Sequence, residues 1–174
     1  MENEELIELE QQGKILVGVD RAMARKFYTD TPISTINKET GEAPYFEKII
    51  VWFAFLSGPI ALISSIVLGF FAFKWWGVIC LVLCPIAFLV YSSLSARGDS
   101  KSIGITLLLL ISVGVHFFGN FNMFWVTLFV CAFLFSLWCV RVLYCSATLL
   151  LRCFVIRNRR AFEYLSDYLT IGHI

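Results

Sequence analysis

Apolar and polar positions along the chain fall into three zones. In residues 1–48 short apolar groups sit among frequent charges. Leu6, Ile7 and Leu9 stand at helical spacing, Ile15, Leu16, Val17 and Val19 form a second apolar group, and Asp20 to Tyr28 reads as a short basic helix. Residues 29–46 read as a polar linker with turn signals at Thr31-Pro32 and Glu39-Thr40-Gly41, after which Pro44, Tyr45 and Phe46 open a helix at an interface. Four apolar runs follow. They are Ile49 to Phe73, Trp75 to Ala96, Ile103 to Phe118, and a run that starts near Phe121 and meets no charge until Arg141. A hydrocarbon core of about 30 Å needs about 20 apolar residues, so the first, second and fourth runs are long enough and the third is at the short end. The pattern predicts an all-α, polytopic integral membrane fold with four transmembrane helices.

The breaks between runs arrange these helices as two hairpins. Lys74-Trp75-Trp76-Gly77 places a cation and two amphipathic rings where a headgroup belt holds them, and Gly77 is expected to ease the turn. Phe118-Gly119-Asn120-Phe121-Asn122 is the second turn, and Arg97-Gly98-Asp99-Ser100-Lys101 is the loop between the hairpins. Fusing residues 103–140 into one helix would make it about 57 Å long, nearly twice the core.

The fourth run does not end at Arg141. No Gly or Pro interrupts residues 123–171, so one helix from about Phe121 to Ile156 is expected, roughly 54 Å long, with about 24 Å of it past the bilayer. Arg141, Cys145, Thr148, Arg152 and Arg159 recur on one face of it. Val142, Leu143, Leu149, Leu150, Phe154 and Val155 lie opposite and need a cover. Short pieces of residues 1–28 and an amphipathic C-terminal helix (Ala161, Phe162, Leu165, Tyr168, Leu169) offer part of one. The larger share is expected from a second copy or a larger complex. The chain thus divides into a cytoplasmic N-terminal segment (1–48), a transmembrane region (49–140) and a cytoplasmic helical extension with a C-terminal helix (141–174).

Composition agrees with a membrane protein. Of the 174 residues 59% are hydrophobic and 16% charged, with a mean hydropathy of +0.78, against roughly 25% charged in a soluble domain. The net charge of +1 hides a strong segregation. Asp99 is the only carboxylate between Lys48 and Glu163. Lysine and arginine fall almost wholly on the side shared by the two termini and the middle loop, and Lys74 stands alone on the other. Both termini are therefore expected in the cytoplasm, with a bacterial inner membrane as the expected location. The acidic start, Met1-Glu2-Asn3-Glu4-Glu5, does not resemble a cleaved secretory signal.

Little catalytic chemistry is available. The six cysteines (Cys80, Cys84, Cys131, Cys139, Cys145, Cys153) lie in apolar helices or in the extension of the fourth, so they read as small apolar side chains rather than a disulfide framework. With His116 and His173 the only histidines, no metal-ligand spacing appears. His116 is expected to bond near Asn120 or Asn122. Paired carboxylates, a zinc motif, a serine with a histidine base and phosphate-binding glycine loops are all missing, and the spans carry no carboxylate for ion-coupled transport. The chain is expected to be non-enzymatic, with no cofactor or metal and no nucleic-acid partner.

Three sets of residues remain as candidate functional features. Ser57, Ala61, Ser65 and Gly69, spaced by four, form a small-residue face for close helix packing. Pro59 and Pro85 interrupt helical hydrogen bonding and are candidate hinges. Arg141, Arg152, Arg157, Arg159 and Arg160 form a basic face for lipid phosphates, for a cytoplasmic vestibule or for acidic residues of the N-terminal segment. The expected function is assembly, as a homo-oligomer or as a membrane subunit of a secretion, conjugation or defence complex. The alternatives are an oligomeric pore with a basic cytoplasmic mouth, or a sensor signalling through residues 1–48 to a soluble effector.

Overall fold

The computed structural model describes residues 15–98, 102–118 and 124–173. Within them the chain is predominantly helical. Strand β1 (Ile15–Val19) is followed by α1 (Arg21–Thr29), α2 (Ile33–Thr40), α3 (Tyr45–Phe73), a 3₁₀ turn (Lys74–Gly77), α4 (Val78–Arg97), α5 (Ser102–Phe118), α6 (Phe124–Arg157), α7 (Arg159–Leu165), a 3₁₀ turn (Ser166–Tyr168) and β2 (Leu169–His173). The expected turn at 119–122, the loop residues 99–101 and the apolar group Leu6, Ile7 and Leu9 lie outside the described residues.

Two stretches, Tyr45–Arg97 and Phe124–Arg157, are long and apolar enough to cross a bilayer, and Gly104–Phe117 is a shorter apolar helix. Of the most apolar part of each stretch, only 11% and 28% is buried inside the chain. A core helix of a soluble protein would bury most of its apolar side chains. Phe53, Ile60, Ile63, Leu83, Leu89 and Phe117 instead stand in the open.

The chain forms two compact units. The terminal unit comprises the residues up to Trp52 together with Tyr144 onward, and the apolar unit is Phe53–Leu143. The terminal unit holds a conventional core. Ala24, Phe27 and Tyr28 of α1, Ile36 of α2 and Val51 of α3 are buried with Ala147, Leu151, Phe154 and Val155 of α6 and Ala161, Phe162 and Leu165 of α7. The Phe27 and Phe154 rings lie 6.1 Å apart, and α2 packs on α7. Part of the apolar stripe of the long helix, Leu143, Phe154 and Val155, is thus covered by the chain itself. Three short helices suffice because they deliver the large side chains Phe27, Tyr28 and Phe162. Leu149 alone of the stripe stays fully open, while Val142 and Leu150 are half-buried.

Local structure departs from expectation in two more places. Residues 33–40 are a helix rather than linker. Pro32 precedes it, Gly41 ends it in the left-handed region (φ 74°), and Ile36 and Thr40, four apart, are its buried face. The long helix stops at Arg157, within a residue of the expected Ile156, and Asn158 caps α7 by accepting from Ala161 N–H at 3.1 Å. The C-terminal amphipathic helix ends at Leu165, and residues 169–173 are a strand antiparallel to β1, Ile15 opposite His173 and Val19 opposite Leu169. Gly18 faces Thr170 so closely that a Cβ there would sit 2.5 Å from Thr170 Oγ1.

Candidate functional site

In the terminal unit the polar groups gather where α2, α6 and α7 meet. The Thr40 hydroxyl donates to Ile36 O at 2.8 Å, holding the end of α2. Asn158 Nδ2 donates to Thr40 O at 3.1 Å and to Glu42 Oε2 at 3.3 Å, while Arg157 Nη2 donates to Glu42 Oε1. Arg157 and Glu42 are both well exposed, so the ion pair itself contributes under about 1 kcal/mol. Its bonds fix the register of residues 40–42 against the start of α7.

A second group lies on the inward face of α1. Arg25 places its guanidinium 5.9 Å from the centre of the Tyr144 ring, a cation–π contact. Three residues on, Tyr28 is wholly buried, and among the described residues neither its hydroxyl nor the buried Arg25 Nε has a hydrogen-bond partner. Burial, reinforced by the nearby Glu47 carboxylate and Cys153, holds the Tyr28 phenol above the ordinary tyrosine range, with Arg157 pulling weakly the other way. The neutral phenol therefore stabilises the fold below pH of about 10, and that contribution is lost as pH rises above the unfolded value. Because the buried hydroxyl makes no bond, Tyr28→Phe should keep or raise stability, by up to roughly 1 kcal/mol. Thermal melting of the solubilised chain checks this at neutral pH, and the variant should lose part of the wild-type decline at alkaline pH. A destabilised variant would mean that the hydroxyl is bonded.

The basic residues do not form one free cationic surface. Arg157 is paired with Glu42 and Arg159 with Glu163 at 3.3 Å, while Arg160 is exposed with its Nη1 beside Gly41. Arg141 and Arg152 are half-buried, and each has an interaction partner. Of the acidic residues of the N-terminal segment, those before Ile15 lie outside the described residues, and the one that meets Arg157 is Glu42, in the stretch read as linker.

Within the apolar unit the small residues of α3 are largely enclosed. Ala61, Ser65 and Gly69 are buried and Ser57 half-buried. A Cβ on Gly69 would lie 3.0 Å from Cys80 Sγ and 3.4 Å from Phe129, and neighbouring Gly58 faces Phe88 and Val140. The hydroxyls of Ser57, Ser64 and Ser65 donate to carbonyls one turn back in the same helix. That bonding lets them serve as small, nearly apolar residues. Ser57, Ala61 and Ser64 with Phe53, Ala132 and Phe135 border an apolar groove of about 610 Å³. Pro59 and Pro85 lie inside α3 and α4, which run on past them.

Polar contacts join α5 to α6 at two rungs. His116 Nδ1 lies 2.8 Å from Thr127 Oγ1, and Cys131 Sγ 3.5 Å from Ser112 Oγ. Since the Thr127 hydroxyl donates to Phe124 O, its oxygen is left to accept from Nδ1–H, an assignment made from the bonding network. The partner of His116 is thus a threonine one helix away, and the Asn120 and Asn122 expected for it lie outside the described residues. All six cysteines are free, and among the described residues no three His, Cys, Asp or Glu side chains come together to hold a metal ion.

Sequence reading missed Tyr28, Arg25, Glu42, Thr40 and Asn158. For Asn158 a signal existed, an Asn three residues before Ala161 and ahead of the apolar pair Ala161-Phe162. Comparison with protein-family models, with curated proteins and with solved structures finds no match.

Proposed function

We propose that the chain is a four-span, non-enzymatic membrane protein with both termini in the cytoplasm, acting as a membrane subunit of a larger assembly that docks through its terminal unit. What carries the reading is the contrast between the two units. Apolar side chains stand open along α3, α4 and α5, as a bilayer requires, whereas the terminal unit buries a mixed core under a charged exterior. A break at Lys74 separates α3 from α4, so Tyr45–Arg97 supplies two spans of 29 and 20 residues. The rungs 116 to 127 and 112 to 131 share one sum, 243, which fits α5 and α6 as an antiparallel hairpin.

The terminal unit is a folded surface rather than a loose tether, which favours docking of a soluble partner over a free signalling tail. A second reading, a sensor, draws support from α3 and α6, each of which supplies residues to both units. A change in the packing of those helices would reach the terminal unit through continuous backbone.

Topology is tested by impermeant thiol labelling in a background where Cys153, the exposed native cysteine, is replaced by serine. Asn120→Cys should label from outside and Ser100→Cys only from inside; the reverse pattern rejects the proposal. Assembly is tested by extracting the chain from its own membranes into polymer nanodiscs and measuring particle mass. A single chain with nothing bound, before and after cross-linking, rejects it too.

A further inference from the structure

We infer that the turn between α3 and α4 is a docking site for an anionic phospholipid. This rests on the four-span reading, which puts the turn at the membrane surface away from the termini. Four observations converge on it. Lys74 is the only charged residue between Lys48 and Arg97. Among the described residues its side chain has no hydrogen-bond or ion-pair partner, and the described part of its unit contains no Asp or Glu. Trp75 and Trp76 beside it are 90% and 74% exposed, as amphipathic rings of a membrane-interface belt are. A pocket of about 320 Å³ lies there, bounded by Phe70, Lys74, Trp75 and Val78.

The chemistry of that pocket is graded. Of its lining residues Phe70 and Val78 are hydrocarbon, Trp75 is apolar with one N–H donor, and Lys74 is a compact cation with three donors. A molecule complementary to it carries a negative oxygen group next to a hydrocarbon chain. A phospholipid phosphate with the first part of its acyl chain has that order, whereas free phosphate matches only the lysine. Charge complementarity therefore selects the lipid. A zwitterionic lipid brings its own cation to the same place and gains less from Lys74, so the preference should be for headgroups with net negative charge.

Backbone geometry points Lys74 into this role. It is the one described non-glycine residue with positive φ, at 53°. Turning the chain there, at the end of a 29-residue helix, breaks α3 so that Lys74, Trp75 and Trp76 follow one another on a short 3₁₀ segment. The cation and the two rings are thereby presented at one end of the helix pair.

The full chain, reconstituted with equal amounts of phosphatidylglycerol and phosphatidylcholine and released in mild detergent, can be weighed by native mass spectrometry. Wild type should retain phosphatidylglycerol in preference to phosphatidylcholine. In Lys74→Gln that preference should fall by about fivefold, the attraction of one lysine to an anionic surface. Trp75→Ala should lower total lipid retention, and Lys38→Gln, an exposed cation of the terminal unit, should change neither. Equal retention of both lipids by wild type, an unchanged preference in Lys74→Gln, or displacement of the lipid by millimolar inorganic phosphate each overturns the lipid site. The topology is read separately by labelling Trp76→Cys from the outside. If it does not label, the four-span reading fails; if it labels and no lipid preference exists, only the present inference fails.

Discussion

Replacing Phe154 by alanine is expected to unfold the terminal unit's core while leaving the apolar unit's helices in place. Phe154 is 2% exposed and its ring meets Phe27. Truncating such a ring removes its transfer free energy and leaves a cavity, typically 3–5 kcal/mol together. A unit this small, built from three short helices and a two-stranded ribbon around the ends of two long helices, has little reserve against such a loss. The readout is limited proteolysis in bilayers, where Phe154→Ala should expose residues 21–40 to rapid cleavage. Phe27→Ala should do nearly the same, and the double variant should cost less than the two losses added, because both rings line one space. Slow cleavage identical to wild type would show that α1 and α2 are held by something other than this core.

Gly77→Ala should be the most damaging single-methyl change in the apolar unit. Its Cβ would lie 2.8 Å from Phe70 Cα and 2.9 Å from Gly69 O. Those are main-chain atoms of α3, which cannot swing aside as a side-chain tip can. Overpacking of this kind costs about 1–3 kcal/mol. The matched controls are Gly104→Ala and Gly114→Ala, where nothing lies within 4 Å of the added methyl. They should hold or raise stability, since alanine is the better helix former by about 1 kcal/mol. Melting of the solubilised chain separates the cases, and a Gly77→Ala variant as stable as its controls would remove the close approach of the turn to α3.

Gly77 also shows where sequence reading reached the right residue for the wrong reason. The break at 74–77 was legible from a lysine and a glycine between apolar runs. The conformational freedom was assigned to the glycine, yet Gly77 has an ordinary φ of −58° and Lys74 carries the left-handed one. The glycine is needed for closeness, and closeness depends on the neighbouring helix, which local sequence does not encode.

The long helices were the most legible part, because apolar length and the scarcity of charge act over 20 or more residues at once. Short elements were the least. Helix α2 has only Ile36 and Thr40 to bury, too few for a periodic signal, although Pro32 and Gly41 marked its two ends. Residues 169–173 as a strand depend wholly on a partner far away in sequence. The end of α6 at Arg157 falls within a residue of the expected Ile156, and Asn158 bonding to Thr40 and Glu42 holds the chain where the helix stops. For the candidate site, the exposed Lys74-Trp75-Trp76 group was visible as a pattern, whereas the pocket beside it and the missing counter-charge required the fold.

The pairing of Ile15 with His173 has a consequence for how the chain is made. Strand β1 leaves the ribosome before α1 to α7, and its partner β2 leaves only after them. Until then Phe27, Tyr28 and Ile36 have neither the end of α6 nor α7 to pack against, and the early segment waits in water with its apolar residues uncovered. Closure of the ribbon thus reports that translation has passed residue 173. Before it closes, the segment displays exposed aromatic and strand-edge surface of the kind that proteases and chaperones bind.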